Sequence, residues 1–251
     1  MMRLLAHHRL TRYVKDCFES YRCISNSCQS DEYIRRFISD NTEIVGGQSL
    51  TPDIKLRLFT PSCRFWYERP ELWPFDDPYW AIYWPGGQAL SRYLLDNPAV
   101  CRGNTVLDLG SGCGASAIAA KLCGAAHVVA NDIDDVAAIA TCINCELNSL
   151  EPPVCVTANM IDSEPEGFDV ILLGDMFYDE ALATTLHSWL DRCIKTHGSQ
   201  VLIGDPGRAQ FEEHGIRKLL HQLAQFELPE SVREENYGLT CSSVWCYHPE
   251  L

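Results

Sequence analysis

Two acids bracket a run of glycines. Asp108 sits near the end of the apolar run Val106-Leu107-Asp108-Leu109 and is followed by Gly110-Ser111-Gly112-Cys113-Gly114. Asp132 closes a second apolar run, 22 residues beyond Gly110. Glycines let a backbone turn sharply and approach a ligand with no Cβ in the way. The helix expected after Gly114 offers unpaired N–H groups and a partial positive charge to a carboxylate or phosphate. Asp132 falls where a ribose needs an acceptor for both of its hydroxyls. Strand, glycine turn, helix, strand, acid is how an open α/β sheet builds a nucleoside site at the carboxyl ends of its strands. A tight βα turn without a ligand would leave the acid unexplained.

Two cofactors fit such a unit. Gly110-x-Gly112-x-x-Ala115 formally satisfies the dinucleotide pattern, which would make the chain an NAD-dependent oxidoreductase. Asp108 opposes this, because a carboxylate beside the glycines repels a pyrophosphate. It suits a ligand that carries an ammonium and a sulfonium, namely S-adenosyl-L-methionine. No catalytic Ser/Tyr/Lys set is evident either. The Gly-x-Gly-x-Gly spacing together with Asp108 resembles motif I of the seven-stranded Rossmann-like methyltransferases, and Asp132 resembles the acid that follows it.

The elements that must hold these residues are legible by period. Strand-like runs at Thr105–Leu109, His127–Asp132, Val154–Ala158, Phe168–Gly174 and Gln200–Ile203 alternate with helical patterns at Ala115–Cys123, Asp134–Leu147, Glu180–Ile194 and Phe211–Ala224. That alternation implies a parallel sheet. Two closing runs, about Phe226–Arg233 and Thr240–Tyr247, have no helix between them and add an antiparallel edge strand. The expected fold is α/β: a doubly wound, mostly parallel seven-stranded Rossmann-like sheet preceded by a helical and aromatic lid segment. Upstream, Asp31–Asn41 reads as a short helix, Thr42–Gln48 as a turn-rich link and Ile54–Leu58 as a strand-like run. Nine aromatics lie between Arg64 and Trp84, where Pro70, Pro74 and Pro78 forbid a long helix. We read them as a lid over the mouth of the sheet. Trp84-Pro85-Gly86-Gly87 then opens a helix through about Asp96. The division is 1–28 leader, 29–97 lid and substrate segment, 98–251 cofactor core.

The Phe168–Gly174 strand ends in Asp175-Met176-Phe177-Tyr178. In such a sheet that end lies beside the glycine turn, so Asp175 and Tyr178 reach the reacting methyl group. Asp-x-x-Tyr there resembles the post-II motif of the seven-stranded lysine methyltransferases. The runs DPYWAIYWPGGQALSRYLLDNP (Asp77–Pro98), SGCGASAIAAK, NDID, LGDMFYDE, VLIGDPGR and SSVW further resemble the electron transfer flavoprotein β-subunit lysine methyltransferases of animal mitochondria, over roughly Leu50–Tyr247. The resemblance implies S-adenosylmethionine as donor and lysines of a folded protein, the flavoprotein β subunit, as acceptor. It implies catalytic roles for Asp175 and Tyr178 in gripping and aiming the lysine. Asp108 and the turn Gly110, Ser111, Gly112, Gly114 would hold the methionine end and Asp132 the ribose. Asn159 and Met160 would flank the adenine, and Trp84 would cover the methionine. Arg208 faces the protein substrate or pairs with the acidic rim. A lysine at pH 7 is only ~0.04% neutral, so deprotonation costs about 4.6 kcal/mol before chemistry begins. A carboxylate beside it raises its pKa and does not ease that step.

Composition narrows the rest. The chain has 251 residues, 46% hydrophobic content and a formal charge of −14, which disfavours a nucleic-acid phosphate backbone as partner. No run approaches the ~18 apolar residues of a membrane helix. The 13 cysteines show no framework spacing, and Cys142-x-x-Cys145 has no matching second pair, so we expect reduced thiols and no metal. The first 15 residues lack Asp and Glu and carry Arg3, Arg9, Arg12 and Lys15, the composition of a mitochondrial presequence. The expected location is the mitochondrial matrix. Two other readings remain open: a non-catalytic scaffold of the same fold, and transfer to another protein or to a small molecule.

Overall fold

The computed structural model describes residues 28–69, 72–236 and 238–249. The leader expected over 1–28 lies outside them apart from its last residue, as does Pro70. The chain opens with helix α1 (Cys28–Asn41), followed by two short strands, β1 (Glu43–Val45) and β2 (Leu56–Leu58), paired antiparallel. β1 falls in the stretch expected to be only a link. One helical turn, α2 (Arg64–Tyr67), and the longer α3 (Pro85–Asp96) precede the main sheet. Pro85 stands in the first turn of α3, where a missing N–H costs nothing.

The sheet then builds by crossover: β3 (Thr105–Leu109), α4 (Ala115–Leu122), β4 (His127–Asn131), α5 (Asp135–Leu147), β5 (Val154–Val156), β6 (Val170–Gly174), α6 (Glu180–His197) and β7 (Gln200–Asp205). A short α7 (Ala209–Glu213), β8 (Leu220–Glu227), α8 (Glu230–Glu235) and β9 (Cys241–Tyr247) complete it. The order is β5-β4-β3-β6-β7-β9-β8, with β9 antiparallel to both neighbours. Alternate side chains serve opposite layers. Val106, Val170, Leu172 and Leu202 pack under α3, α4 and α5, whereas Leu107, Ile171, Leu173 and Ile203 pack under α6. Each such fully buried Leu, Ile or Val contributes about 1.5–3 kcal/mol.

The expected helix over 211–224 is not formed. His214 and Gly215 end α7, a 3₁₀ turn spans Gly215–Leu219, and the chain extends from Leu220. A bulge between Gln222 and Ala224 interrupts the period-2 pattern of β8, so its apolar residues fall at helix-like spacings. The closing antiparallel pair is therefore β8 and β9, and residues 230–235 are helical.

The aromatic stretch divides. Phe59, Phe65 and Trp80 are buried with Ile34 and Ile38 of α1 against Val136, Ile139 and Ala140 of α5, and Phe37, Trp73 and Phe75 pack around them. This is a third core beside the sheet. Only Tyr83 and Trp84 of the nine expected lid aromatics line the mouth, with Tyr79 next to Trp84 at 6.3 Å between ring centres. The start of α3 meets the ends of β6 and β7 backbone to backbone. A Cβ on Gly86 would collide with the Gly204 carbonyl and lie 2.5 Å from Asp175 Oδ2, so only glycine allows this approach.

Candidate active site

The glycine turn sits where β3 meets α4. Gly110 has φ 69°, Gly112 50° and Gly114 78°, all left-handed, and Gly114 is the residue on which α4 starts. Side chains of the next βα unit hold the turn. Asp132 Oδ2 accepts the Gly112 N–H at 2.9 Å, and its Oδ1 accepts the Asp134 N–H at 3.1 Å. Asn144 Nδ2 donates to the Cys113 carbonyl at 2.9 Å, and Thr141 Oγ1 to the Gly112 carbonyl at 3.3 Å.

An open cleft follows from this arrangement, lined among others by Trp84, Asp108, Gly110, Ser111 and Gly112. Five of the expected cofactor residues thus converge. Gly114 supports the turn from behind, and Asp132 stands at its edge, half-buried. Asn159 is exposed one residue before a 3₁₀ turn, bonded to Asp162 at 2.7 Å, and Met160 is buried in the α6-side core, so neither lines the cleft. Residues not singled out from the sequence also line it: Ile82, Tyr83, Gly87, Ser116 and Gly174. Tyr83 had a signal, as an aromatic two residues before Pro85. Its hydroxyl is tied to Thr51 at 2.9 Å.

The polar groups of the cleft fit S-adenosylmethionine. Ser111 Oγ is buried with no partner in the protein, a group left for a ligand to satisfy. Asp108, 2% exposed, accepts the Ala117 N–H on Oδ2 at 2.9 Å, which leaves Oδ1 for an ammonium. Burial pushes the Asp108 carboxyl up to about 7, against the opposing Ala117 N–H and with help from the Asp132 charge. Only the ionised form attracts an ammonium. Affinity for S-adenosylmethionine should therefore fall by up to about tenfold for each pH unit below 7. Titration calorimetry between pH 5.5 and 8 checks this. The dependence should flatten in Asp108→Asn, and a flat wild-type profile would remove Asp108 from the ammonium.

Across the cleft, Asp175 has φ 57°, an uncommon conformation for a residue with a side chain. It is 6% exposed, and Asp179, not Asp175, caps α6 by accepting the Leu182 N–H. Asp175 Oδ1 takes Arg208 Nε at 3.1 Å and Nη2 at 2.7 Å; Oδ2 takes the Gly87 N–H at 3.1 Å. Burial raises its pKa, and Arg208 and the backbone donors oppose that rise. Of the two positions open to Arg208, it takes the inward one, paired with an acid and 5.4 Å from the Trp84 ring centre. Sequence reasoning missed Asp205 at the end of β7. Its Oδ1 accepts the N–H of Gly207 and of Arg208, while Oδ2 is buried and unpartnered. An acid at a strand end beside Asp175 was the available signal. Tyr178 is 57% exposed at the mouth; partial burial, then the charge of nearby Asp132 and Tyr79, raises its pKa. The arrangement can hold an adenosyl ligand with a cationic amino acid end and present it to an acceptor entering past Tyr178. Among the described residues no cluster of three metal-ligating side chains occurs.

The comparisons agree with this geometry. The family model described as "Ribosomal protein L11 methyltransferase (PrmA)" matches residues 88–197. A protein of Danio rerio named "Electron transfer flavoprotein beta subunit lysine methyltransferase" is 69% identical over 92% of this chain and 90% of its own length. The Homo sapiens protein of the same name is 58% identical over 87% and 84%. Among solved structures, "A putative sam-dependent methyltransferase from Streptococcus mutans" superposes with a TM-score of 0.54 over 82% of this chain and 55% of that one, at 14% identity. At that identity the likeness concerns the fold alone.

Proposed function

The chain belongs to the electron transfer flavoprotein β-subunit lysine methyltransferase family and is a protein-lysine methyltransferase; from that premise we propose that it methylates lysines of the folded flavoprotein β subunit in the mitochondrial matrix, with S-adenosylmethionine as donor. One observation carries the substrate. The ribosomal protein L11 methyltransferase model matches only residues 88–197, whereas the relatives named for the flavoprotein match about nine-tenths of the chain. Their likeness therefore extends beyond that match, through the N-terminal aromatic core as well as the closing strands. The −14 charge agrees with an acceptor rich in lysine.

When bound, S-adenosylmethionine supplies a methyl group on a cationic sulfur. In this reading Asp108 and Ser111 hold its amino acid end and Asp132 its ribose. Trp84 and Tyr83 wall the methionine side and exclude water. Tyr178, at the mouth, flanks the entering lysine, whose methylenes pack on apolar surface while the head stays polar. Positioning donor and acceptor supplies much of the rate.

Incubation with labelled methyl donor tests the substrate. Label should enter lysines of the folded β subunit and not its unfolded chain or histones. Equal labelling of histones, or none of the flavoprotein subunit, would overturn it. The acid-free basic start supports the location; import of a 29–251 chain into mitochondria as efficient as that of 1–251 would count against it.

A further inference from the structure

We infer that Arg208 is a positioning residue for methyl transfer: its bidentate ion pair with Asp175 offsets that carboxylate's charge, so that the entering lysine is bound as a neutral amine. The inference rests on lysine transfer at this site and not on which protein carries the lysine.

A carboxylate has about four lone-pair sites. On Asp175, Arg208 Nε and Nη2 take the two on Oδ1, and the Gly87 N–H takes one on Oδ2. Three of the four are thus taken, the guanidinium offsets the negative charge, and the residue is 6% exposed, so the carboxylate is poorly placed to grip an ammonium. The guanidinium is held on two sides, and the Arg208 backbone on a third. Asp175 holds its edge, Trp84 lies 5.4 Å from it, and Asp205 Oδ1 accepts the Arg208 backbone N–H at 2.8 Å. The charges facing this cluster come from each neighbouring element. Asp205 lies at the end of β7, and its carboxyl is pushed up to about 7 by burial and then by the Asp175 charge. Asp132, Tyr79 and Asp179 lie on the Tyr178 side. From α3 come only backbone N–H groups and Trp84. Arg208 is therefore the cation that balances the acids beside the acceptor.

The chemistry requires such a balance. The nucleophile is the amine lone pair, and an uncompensated carboxylate beside a lysine keeps one more proton at the site. That proton sits either on the amine or on the acid, where it donates into the same lone pair. In both cases the nucleophile is blocked. An opposite charge within about 4–6 Å raises a pKa by about 1–3 units. Arg208 cancels that rise without contacting the lysine.

Two measurements test this. The first follows kcat against pH for wild type, Arg208→Gln and Arg208→Lys, using a protein that the wild type labels: the flavoprotein β subunit, or an extract protein if the subunit is not labelled. In Arg208→Gln the acid limb should move up by about 1–3 pH units, with transfer at pH 7 reduced at least ~tenfold and regained at high pH, and with KM for the acceptor no higher. Arg208→Lys should keep the wild-type limb. A limb unmoved in Arg208→Gln, with activity lost equally at every pH, would make Arg208 merely structural. An equal shift in Arg208→Lys would also overturn the inference. The second measurement uses wild type alone, so that misfolding of a variant cannot hide the answer. Calorimetry of acceptor binding at pH 7, in buffers of different ionisation heat, should show release of about one proton compared with an acceptor whose target lysine is replaced by Met. No release would mean that the lysine binds charged.

Discussion

Asp132→Ala should lower affinity for S-adenosylmethionine at least tenfold while the protein still folds. Two losses combine. The ribose hydroxyls lose a charged acceptor, and a charge-assisted hydrogen bond contributes roughly 1.5–3 kcal/mol. The Gly112 and Asp134 N–H groups, now bonded to Asp132 at 2.9 and 3.1 Å, lose theirs as well. The second loss acts on the turn and not on the ligand, because Gly112 sits at φ 50° and its N–H is one of the ties that keep it there. Asp132→Asn separates the two. It retains an oxygen for one backbone donor but offers a ribose no charge, so its affinity should fall between wild type and Ala. Calorimetric titration of both variants, with thermal melts to confirm folding, checks the order. Wild-type affinity in a folded Asp132→Ala would sink the ribose assignment.

The part of the site that surrounds Asp132 was legible because it is local. Asp108, the glycines and Asp132 lie within one βαβ unit, where apolar period and turn chemistry place them without knowledge of strand order. Asp175 needed one further step, the expectation that its strand neighbours β3. What stayed hidden depends on contacts between distant segments. Arg208 meets Asp175 only because β6 and β7 are neighbours in the sheet and both end at the start of α3. The aromatic stretch was recognisable as packed, yet its partners, Ile34 and Ile38 on one side and Val136 and Ile139 on the other, lie far from it in sequence. Apolar content alone could not tell a third core from a lid. At 211–224 the failure was one of period. The bulge in β8 set Leu220, Leu223 and Ala224 at helical spacings, and pairing with β9 overrode them.

Asp175→Ala should abolish transfer and, in contrast to a residue that only touches lysine, should also weaken the fold and the cofactor cleft. Placing Asp175 on the lysine alone would leave cofactor affinity nearly intact. The geometry changes that expectation, since the carboxylate joins Arg208 to the N-terminus of α3, and Trp84 and Gly87 from that terminus line the cleft. Removing one partner of a buried ion pair strands the other and costs about 3–5 kcal/mol. Arg208 keeps 22% side-chain exposure, so the lower end applies. For a domain of this size about 3 kcal/mol lowers Tm by roughly 6–12 °C. Transfer should drop at least ~100-fold, because small displacements of reacting groups have effects of that order. Asp175→Asn should behave almost as badly, since an amide cannot balance the guanidinium. The pair can be tested as a unit by adding Arg208→Gln to Asp175→Ala. If the stranded cation is what destabilises the single variant, the double variant should regain part of the lost Tm, a coupling that independent sites do not show. Additive losses in the double variant, or a single variant that keeps wild-type stability and cofactor affinity, would return Asp175 to the lysine side alone.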